Sequence, residues 1–403
     1  MGKKQIALIG AGKLGKGYVA DLFGKAGYEV IFLARRQQQV DTMRRQGSYT
    51  VYVSHEDGSG ISKKQMSGYQ IWCSQGEERA QCLQVLMQVP IASVQIYDNG
   101  FAEAGKLLGE AIARRAELPE AEPLDILLVV NYSAPDRIFA NYIEQELHTE
   151  QQRTYFKERV GLIKTLAFRG GFTPTAEQLA EDPEAICASD YPELPVDRDA
   201  FRGSFPQEVN GLLPLDKMDE RLKAKLWTAN MQAGAIGSMG KAKGYHLYNE
   251  AAADEQIQKF AERCYEEALY GIEHLFHMSK EDYALGSRKK VPLAPGAKAR
   301  VTTDVIDRQM FGLNRKLGRE ERLIGPAMAC LEGGRLPYFL AKAAAYAFDF
   351  DNPADPASVE VLAYVREQGI EKAVSKYCGL SLQNDKERIL HQLICGHYVD
   401  LHE

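Results

Sequence analysis

Nothing in this 403-residue chain approaches the ~18 consecutive apolar residues of a membrane-crossing helix, which excludes a span of that kind. Basic residues are not in surplus: 49 Lys and Arg stand against 55 Asp and Glu, a formal charge of −6. A nucleic-acid partner, which selects for a basic face, is therefore not expected. The seven cysteines (Cys73, Cys82, Cys187, Cys264, Cys330, Cys378 and Cys395) are odd in number, widely spread and form no C-x-x-C pair. That speaks against a disulfide framework or a zinc site, and a reducing cytoplasm fits such a set. Met1-Gly2-Lys3-Lys4 runs at once into an apolar strand, leaving no room for a signal peptide. No G-x-S-x-G nucleophile elbow is present. His391, Cys395 and His397 lie close in sequence, but spacings of i, i+4 and i+6 do not put three ligands on one helix face; no metal is expected. Glu266-Glu267 and Glu273-His274 read as solvated pairs on an amphipathic helix.

What is present begins at the N-terminus. The apolar run Ile6-Ala7-Leu8-Ile9 is followed by Gly10-Ala11-Gly12-Lys13-Leu14-Gly15, then by a helical stretch from Tyr18 and a second strand-like run, Glu29 to Leu33. This is the G-x-G-x-x-G pattern in its strand–turn–helix setting. The first glycine makes the turn, the second lets backbone approach a pyrophosphate, and the third lets helix and strand pack closely. Gly10, Gly12, Lys13, Leu14 and Gly15 are the candidate cofactor-binding residues, with the pyrophosphate on the helix N-terminus. NAD-binding units usually carry Asp or Glu at the end of the second strand. Here stand Ala34-Arg35-Arg36, and two guanidinium forks suit a 2′-phosphate. The expected cofactor is NADP in preference to NAD.

Candidate strands at 6–9, 29–34, 49–53, 91–97, 124–130 and 160–168 alternate with helical stretches, which predicts an α/β, doubly wound parallel sheet. Segment 170–204, rich in Pro, Asp and Glu, reads as irregular connection. Beyond Pro214 the pattern becomes helical: 217–242, 250–278, 319–332, 336–348, 356–368 and 383–399. The expected organisation is a Rossmann domain with its linker over 1–204 and an all-α substrate-binding and catalytic domain over 205–403.

Within that second half, Lys225-Leu226, Asn230, a small-residue stretch, Gly244-Tyr245 and Glu250-Ala251 follow one another. The segment resembles the signature helix of the polyol dehydrogenase family that includes the mannitol-1-phosphate 5-dehydrogenases and the long-chain mannitol 2-dehydrogenases. The resemblance spans most of the chain: Gly10 to Gly17, Ser48-Tyr49 with Val51 and Val53, Asp182-Pro183, Asn314-Arg315-Lys316-Leu317, and Arg322-Leu323-Ile324-Gly325-Pro326 match in order. It implies hydride transfer to a nicotinamide, with Lys225 as general base and Asn230 holding the lysine or the developing alkoxide. Burial can bring a lysine toward ~7–8, where it accepts a proton. The bland alternative makes Lys225 one of several solvated lysines, with Lys217 and Lys223. On an ideal α-helix Asn230 would lie roughly 140° round from Lys225, and position 233 roughly 80°.

This chain departs from the family pattern. Ala233 stands where the resemblance implies a histidine, Phe168 where it implies an aspartate before Arg169, and Asn131-Tyr132 where it implies an acidic-Asn pair. Arg308, Arg315, Lys316 and Arg322 follow the phosphate-ester members; Arg308, Arg315 and Lys316 are the candidate phosphate contacts, although Arg319-Glu320-Glu321-Arg322 could instead pair along a helix face. The basic run Arg288-Lys289-Lys290, continuing to Lys298 and Arg300, reads as a surface loop or a substrate lid. The expected function is interconversion of a polyol or polyol phosphate and its keto sugar. Two alternatives remain: a non-catalytic dinucleotide sensor or scaffold, and a dehydrogenase of another substrate such as a sugar acid.

Overall fold

The computed structural model describes residues 4–132, 134–289, 291–297 and 304–403. Two compact units emerge, Met1–Leu222 with Lys290–Val301, and Lys223–Lys289 with Thr302–Glu403. The division falls after Leu222 rather than at 204. Leu215, Met218 and Leu222 bury themselves with Leu166, Phe168 and Tyr191, so apolar contact ties this stretch to the first unit.

The strands are β1 (Gln5–Ile9), β2 (Glu29–Ala34), β3 (Ser48–Ser54), β4 (Ile61–Ser67), β5 (Gln70–Cys73), β6 (Ile91–Val94), β7 (Leu124–Leu128), β8 (Val160–Lys164), β9 (Gly171–Phe172), β10 (Ile186–Ser189), β11 (Leu194–Asp197) and β12 (Leu212–Leu215). Six form a parallel sheet in the order β5-β2-β1-β6-β7-β8. The strand order reverses between β1 and β6, the switch point beside which such sheets bind ligands.

Alternate residues of β1 serve opposite cores, as the period of a strand requires. Ile6 and Leu8 pack with Tyr18, Phe23 and Met43. Ala7 and Ile9 pack with Leu83, Leu108 and Phe139, from helices Arg79–Gln88, Phe101–Arg115 and Pro135–Glu144. Asp125 interrupts the apolar β7, yet it is satisfied: its carboxylate accepts backbone N–H bonds from Arg202 at 2.8 Å and Gly203 at 3.0 Å.

The sheet differs from expectation in one place. The strand expected at 49–53 is β3, but it lies in a second sheet ordered β4-β3-β10-β9. The third parallel position belongs to β5, four residues long. Segment 170–204 is also more regular than expected, holding β9, β10, β11 and helix Ala176–Glu181.

The second unit is helical around a core that includes Met231, Ile257, Leu313, Ile324, Leu340, Phe348 and Ile394. Its longest helix, Glu255–Phe276, carries Glu267 into the interior rather than to solvent. There the carboxylate accepts the N–H groups of Phe339 (3.1 Å) and Leu340 (2.9 Å), at the start of helix Tyr338–Phe348. Residues 319–323 form a turn, and the helix expected from 319 begins at Ile324. No helix among the described residues is long and apolar enough to cross a membrane.

Candidate active site

In the first unit the glycine turn leaves the carboxyl end of β1. Gly10 takes φ +107°, a conformation side chains rarely adopt, and a Cβ there would stand 2.6 Å from Ile96. A Cβ on Gly12 would meet nothing within 4 Å, so this backbone is open to a ligand. The helix that follows holds a π turn over Gly15–Val19. Lys13 donates to the Thr173 hydroxyl at 2.8 Å. Lys16, two residues beyond Leu14, is buried and pairs with Glu184 at 2.8 Å; burial lowers its pKa. Arg35 and Arg36 are exposed just beyond β2, with no carboxylate between Ala34 and Arg36. A dinucleotide fits this arrangement: an open backbone at the pyrophosphate position, and cations where the adenosine ribose ends.

The positions that depart from the family pattern are put to structural use. Phe168 is buried edge-on to Tyr191, ring centroids 5.8 Å apart. Arg169 is buried and donates to Asp21 at 2.8 Å, to the Gly17 carbonyl at 2.8 Å and to the Tyr191 carbonyl at 2.9 Å. It thus holds the glycine-turn helix in place, a role the sequence reading did not give it. Tyr132 donates its hydroxyl to Asp98 at 2.6 Å.

The second unit carries Lys225 and Asn230 on a helix that runs through Met218–Lys225, a π turn at Leu226–Asn230, and Met231–Ala242. The Met231 N–H bonds to the Leu226 carbonyl, an i→i+5 link. Such insertions often mark functional sites. Two side chains hold the bulge. The Trp227 indole N–H donates to the Glu320 carbonyl at 3.1 Å while its ring lies against Gly325. Thr228 donates to the Ala224 carbonyl at 2.6 Å, and its hydroxyl lies 2.7 Å from that of Tyr283.

The three lysines of this segment differ. Lys217 is exposed, and Lys223 reaches Glu320 at 3.3 Å. Lys225 is half-buried; partial desolvation, with Arg288 and Arg322 adding positive potential, lowers its pKa to about 8. Arg288 belongs to the basic stretch expected as a loop or lid; Lys290, Lys298 and Arg300 of that stretch lie outside the described residues. Ala233, eight residues beyond Lys225, is half-buried.

The expected phosphate contacts gather in this unit, but not alike. Arg308 is exposed and grips Asp304 through both arms of its fork, Nε at 2.6 Å from Oδ1. Arg315 pairs with Glu321. Lys316 points inward, donating to the Gln309 carbonyl at 2.8 Å; desolvation, aided by Arg322 and Arg315, brings its pKa to about 6. Arg322 is buried, and its charge acts on both Lys225 and Lys316. The residues 319–322 do not pair along one helix: Arg319 meets Glu387 at 3.0 Å, and Glu320 meets Lys223.

His391 bonds to the Glu371 carbonyl at 2.8 Å and lies 3.1 Å from the Ser375 hydroxyl. Among the described residues no group of three or more His, Cys, Asp or Glu is placed to hold a metal.

Comparison with known proteins places these features. Residues 4–208 match the family model of the mannitol dehydrogenase Rossmann domain. The chain is 23% identical over 381 residues to mannitol-1-phosphate 5-dehydrogenase of Caldanaerobacter subterraneus subsp. tengcongensis, covering 94% of each chain. It is 23% identical over 387 residues to the enzyme of that name from Thermoanaerobacter pseudethanolicus, covering 96% of this chain and 95% of the relative. Among solved structures it shares its fold with a substrate-free D-sorbitol dehydrogenase (TM-score 0.75, 13% identity, covering 100% of this chain and 93% of the other). It shares it equally with Pseudomonas fluorescens mannitol 2-dehydrogenase, solved with NAD and D-mannitol (TM-score 0.74, 14% identity, 100% and 92%). The protein belongs to the mannitol dehydrogenase family, and by that membership is a polyol dehydrogenase.

Proposed function

We propose that the protein interconverts a polyol, or a polyol phosphate, and the matching keto sugar, with Lys225 as the group that moves the proton. The observation that carries this reading is the state of Lys225: it opens a π turn and is partly desolvated, with a pKa of about 8. A nicotinamide dinucleotide seated at the glycine turn supplies the hydride acceptor. In the oxidation direction the neutral amine at Lys225 Nζ takes the hydroxyl proton; in reduction the ammonium returns it. Asn230, at the end of the same π turn, steadies the amine or the alkoxide. Arg35 and Arg36 favour NADP(H) by offering donors to a 2′-phosphate. Arg315, with Arg308 and Lys316 nearby, supports a phosphate ester over a free polyol. The cysteine usage supports a cytoplasmic setting. Replacing Lys225 by Met tests the proposal. Turnover of keto sugars should fall by about 10²–10⁴-fold while cofactor affinity holds; turnover within a few fold of wild type would end it.

A further inference from the structure

We propose that Tyr283 is a positioning residue for the proton transfer at Lys225. By its bond to Thr228 it pins the segment carrying Arg288 to the π turn, and so keeps that guanidinium where it acts on the amine. The proposal rests on the reading of Lys225 above and adds what holds its surroundings in place.

Each hydroxyl has one proton to donate, and that fixes the direction of the bonds. Thr228, 1% exposed, gives its proton to the Ala224 carbonyl at 2.6 Å. Its oxygen, 2.7 Å from that of Tyr283, therefore accepts. The Tyr283 proton is then committed, so in its bond with Tyr265, from helix Glu255–Phe276, Tyr283 is the acceptor. The order is Tyr265, Tyr283, Thr228, Ala224 carbonyl. A backbone carbonyl passes no proton onward, so this chain is not a relay to the amine. It fixes the backbone at the residue before Lys225.

Tyr283 reaches the turn from helix Lys280–Leu285. Six residues are too few for a helix to sustain itself, so tertiary contact places it. The Tyr283 ring packs with Ala224, Trp227 and Ile272, where Trp227 stacks on Phe276 with centroids 5.5 Å apart. The Tyr283 carbonyl accepts the Gly286 N–H at 3.2 Å and the Ser287 hydroxyl at 2.7 Å. Arg288 comes next, and its charge acts on Lys225. One residue thus joins the segment that carries the cation to the turn that carries the amine. The other charges near Lys225 are Arg322, from the turn at 319–323, and Lys223 on the same helix, paired with Glu320 at 3.3 Å. Both sit on elements that Tyr283 does not carry, so loss of its hydroxyl bears on Arg288 first.

The test reads Lys225 without substrate. Acetylation by acetic anhydride, which takes the neutral amine, is followed against pH by mass spectrometry, with the exposed Lys217 as internal reference. Tyr283→Phe keeps the ring and loses the hydroxyl. The Lys225 midpoint should move up by about half a pH unit or more as the like charge withdraws. Thr228→Val should reproduce that shift, and Thr228→Ser should keep the wild-type midpoint. In an Arg288→Ala background Tyr283→Phe should add nothing, since the cation it holds is gone. A midpoint unmoved by Tyr283→Phe overturns the proposal, as does an equal shift with and without Arg288. If Tyr283→Phe does not fold, Thr228→Val is judged by the same two criteria. If the reagent does not reach Lys225, the midpoint of polyol oxidation against pH decides in its place. Failure of the Lys225 reading shows separately, as full turnover by Lys225→Met.

Discussion

The carbonyl oxygen of Gly10 lies 2.4 Å from where a side chain on Gly15 would begin. Strand and helix are therefore in backbone contact at this turn, while Gly12 between them faces open space. The two glycines should respond differently to the same change. Gly15→Ala must move backbone, and should cost about 1–3 kcal/mol of stability as well as dinucleotide affinity. Gly12→Ala meets nothing in the protein, so stability should stay within ~0.5 kcal/mol. Its affinity for the dinucleotide should nonetheless fall, because the new methyl stands where the pyrophosphate approaches. Denaturant melts and cofactor titrations separate the two effects. Wild-type binding by Gly12→Ala would mean that the pyrophosphate sits elsewhere.

Arg35 and Arg36 are exposed, so removing them should leave the fold unchanged. The double variant Arg35→Ala, Arg36→Ala should weaken NADPH about tenfold or more and NADH much less, since only the former offers a 2′-phosphate to the forks. Nicotinamide fluorescence titration reads both. Equal losses, or none, would leave the cofactor preference to other residues.

The pKa of about 8 at Lys225 gives the reaction a signed pH dependence. Oxidation needs the neutral amine, so its rate should rise with pH and level off above about 8. Reduction needs the ammonium and should fall over the same range. Burial is the largest cause and the cations Arg288 and Arg322 the next; Arg288→Ala should therefore move both profiles to higher pH. Profiles that stay in place would show that Arg288 does not act on the lysine.

Much of the first unit was legible because its signals are local. The glycine spacing names the turn, and the continuous apolar runs of β1, β2 and β7 name buried parallel strands. What escaped the sequence is held by partners distant in the chain. Ile61–Ser67 is a polar, mostly exposed segment, a strand only because it pairs with β3. Gln70–Cys73 is too short to show a period. At the second site Lys225 and Asn230 could be named by resemblance, but the π turn that relates them is fixed by Trp227 against Gly325 and Thr228 beside Tyr283. Sequence spacing carries no trace of such contacts. Nor could it tell which of Arg308, Arg315, Lys316 and Arg322 is already spent, since that depends on Asp304, Glu321 and the Gln309 carbonyl.

Lys316 offers a test of the buried cluster that needs no substrate. Its folded-state pKa is lowered to about 6, from 10.5, chiefly by desolvation. Between these values the unfolded chain binds a proton that the native protein does not. Stability should therefore rise with pH across this window, by at most ~1.4 kcal/mol per pH unit from this group. Below about 6 both states hold the proton, and the contribution is flat. Lys225 contributes with the same sign between about 8 and 10.5, so wild type alone does not isolate Lys316. Lys316→Met does: its stability should rise less steeply from about pH 6 to 8, whatever constant offset follows from the lost bond to the Gln309 carbonyl. Parallel curves from urea melts over that range would mean that Lys316 keeps its proton in the fold. It would then be a charged neighbour of Arg315 and Arg322, and the cluster would repel cations more strongly than the inward-pointing amine implies.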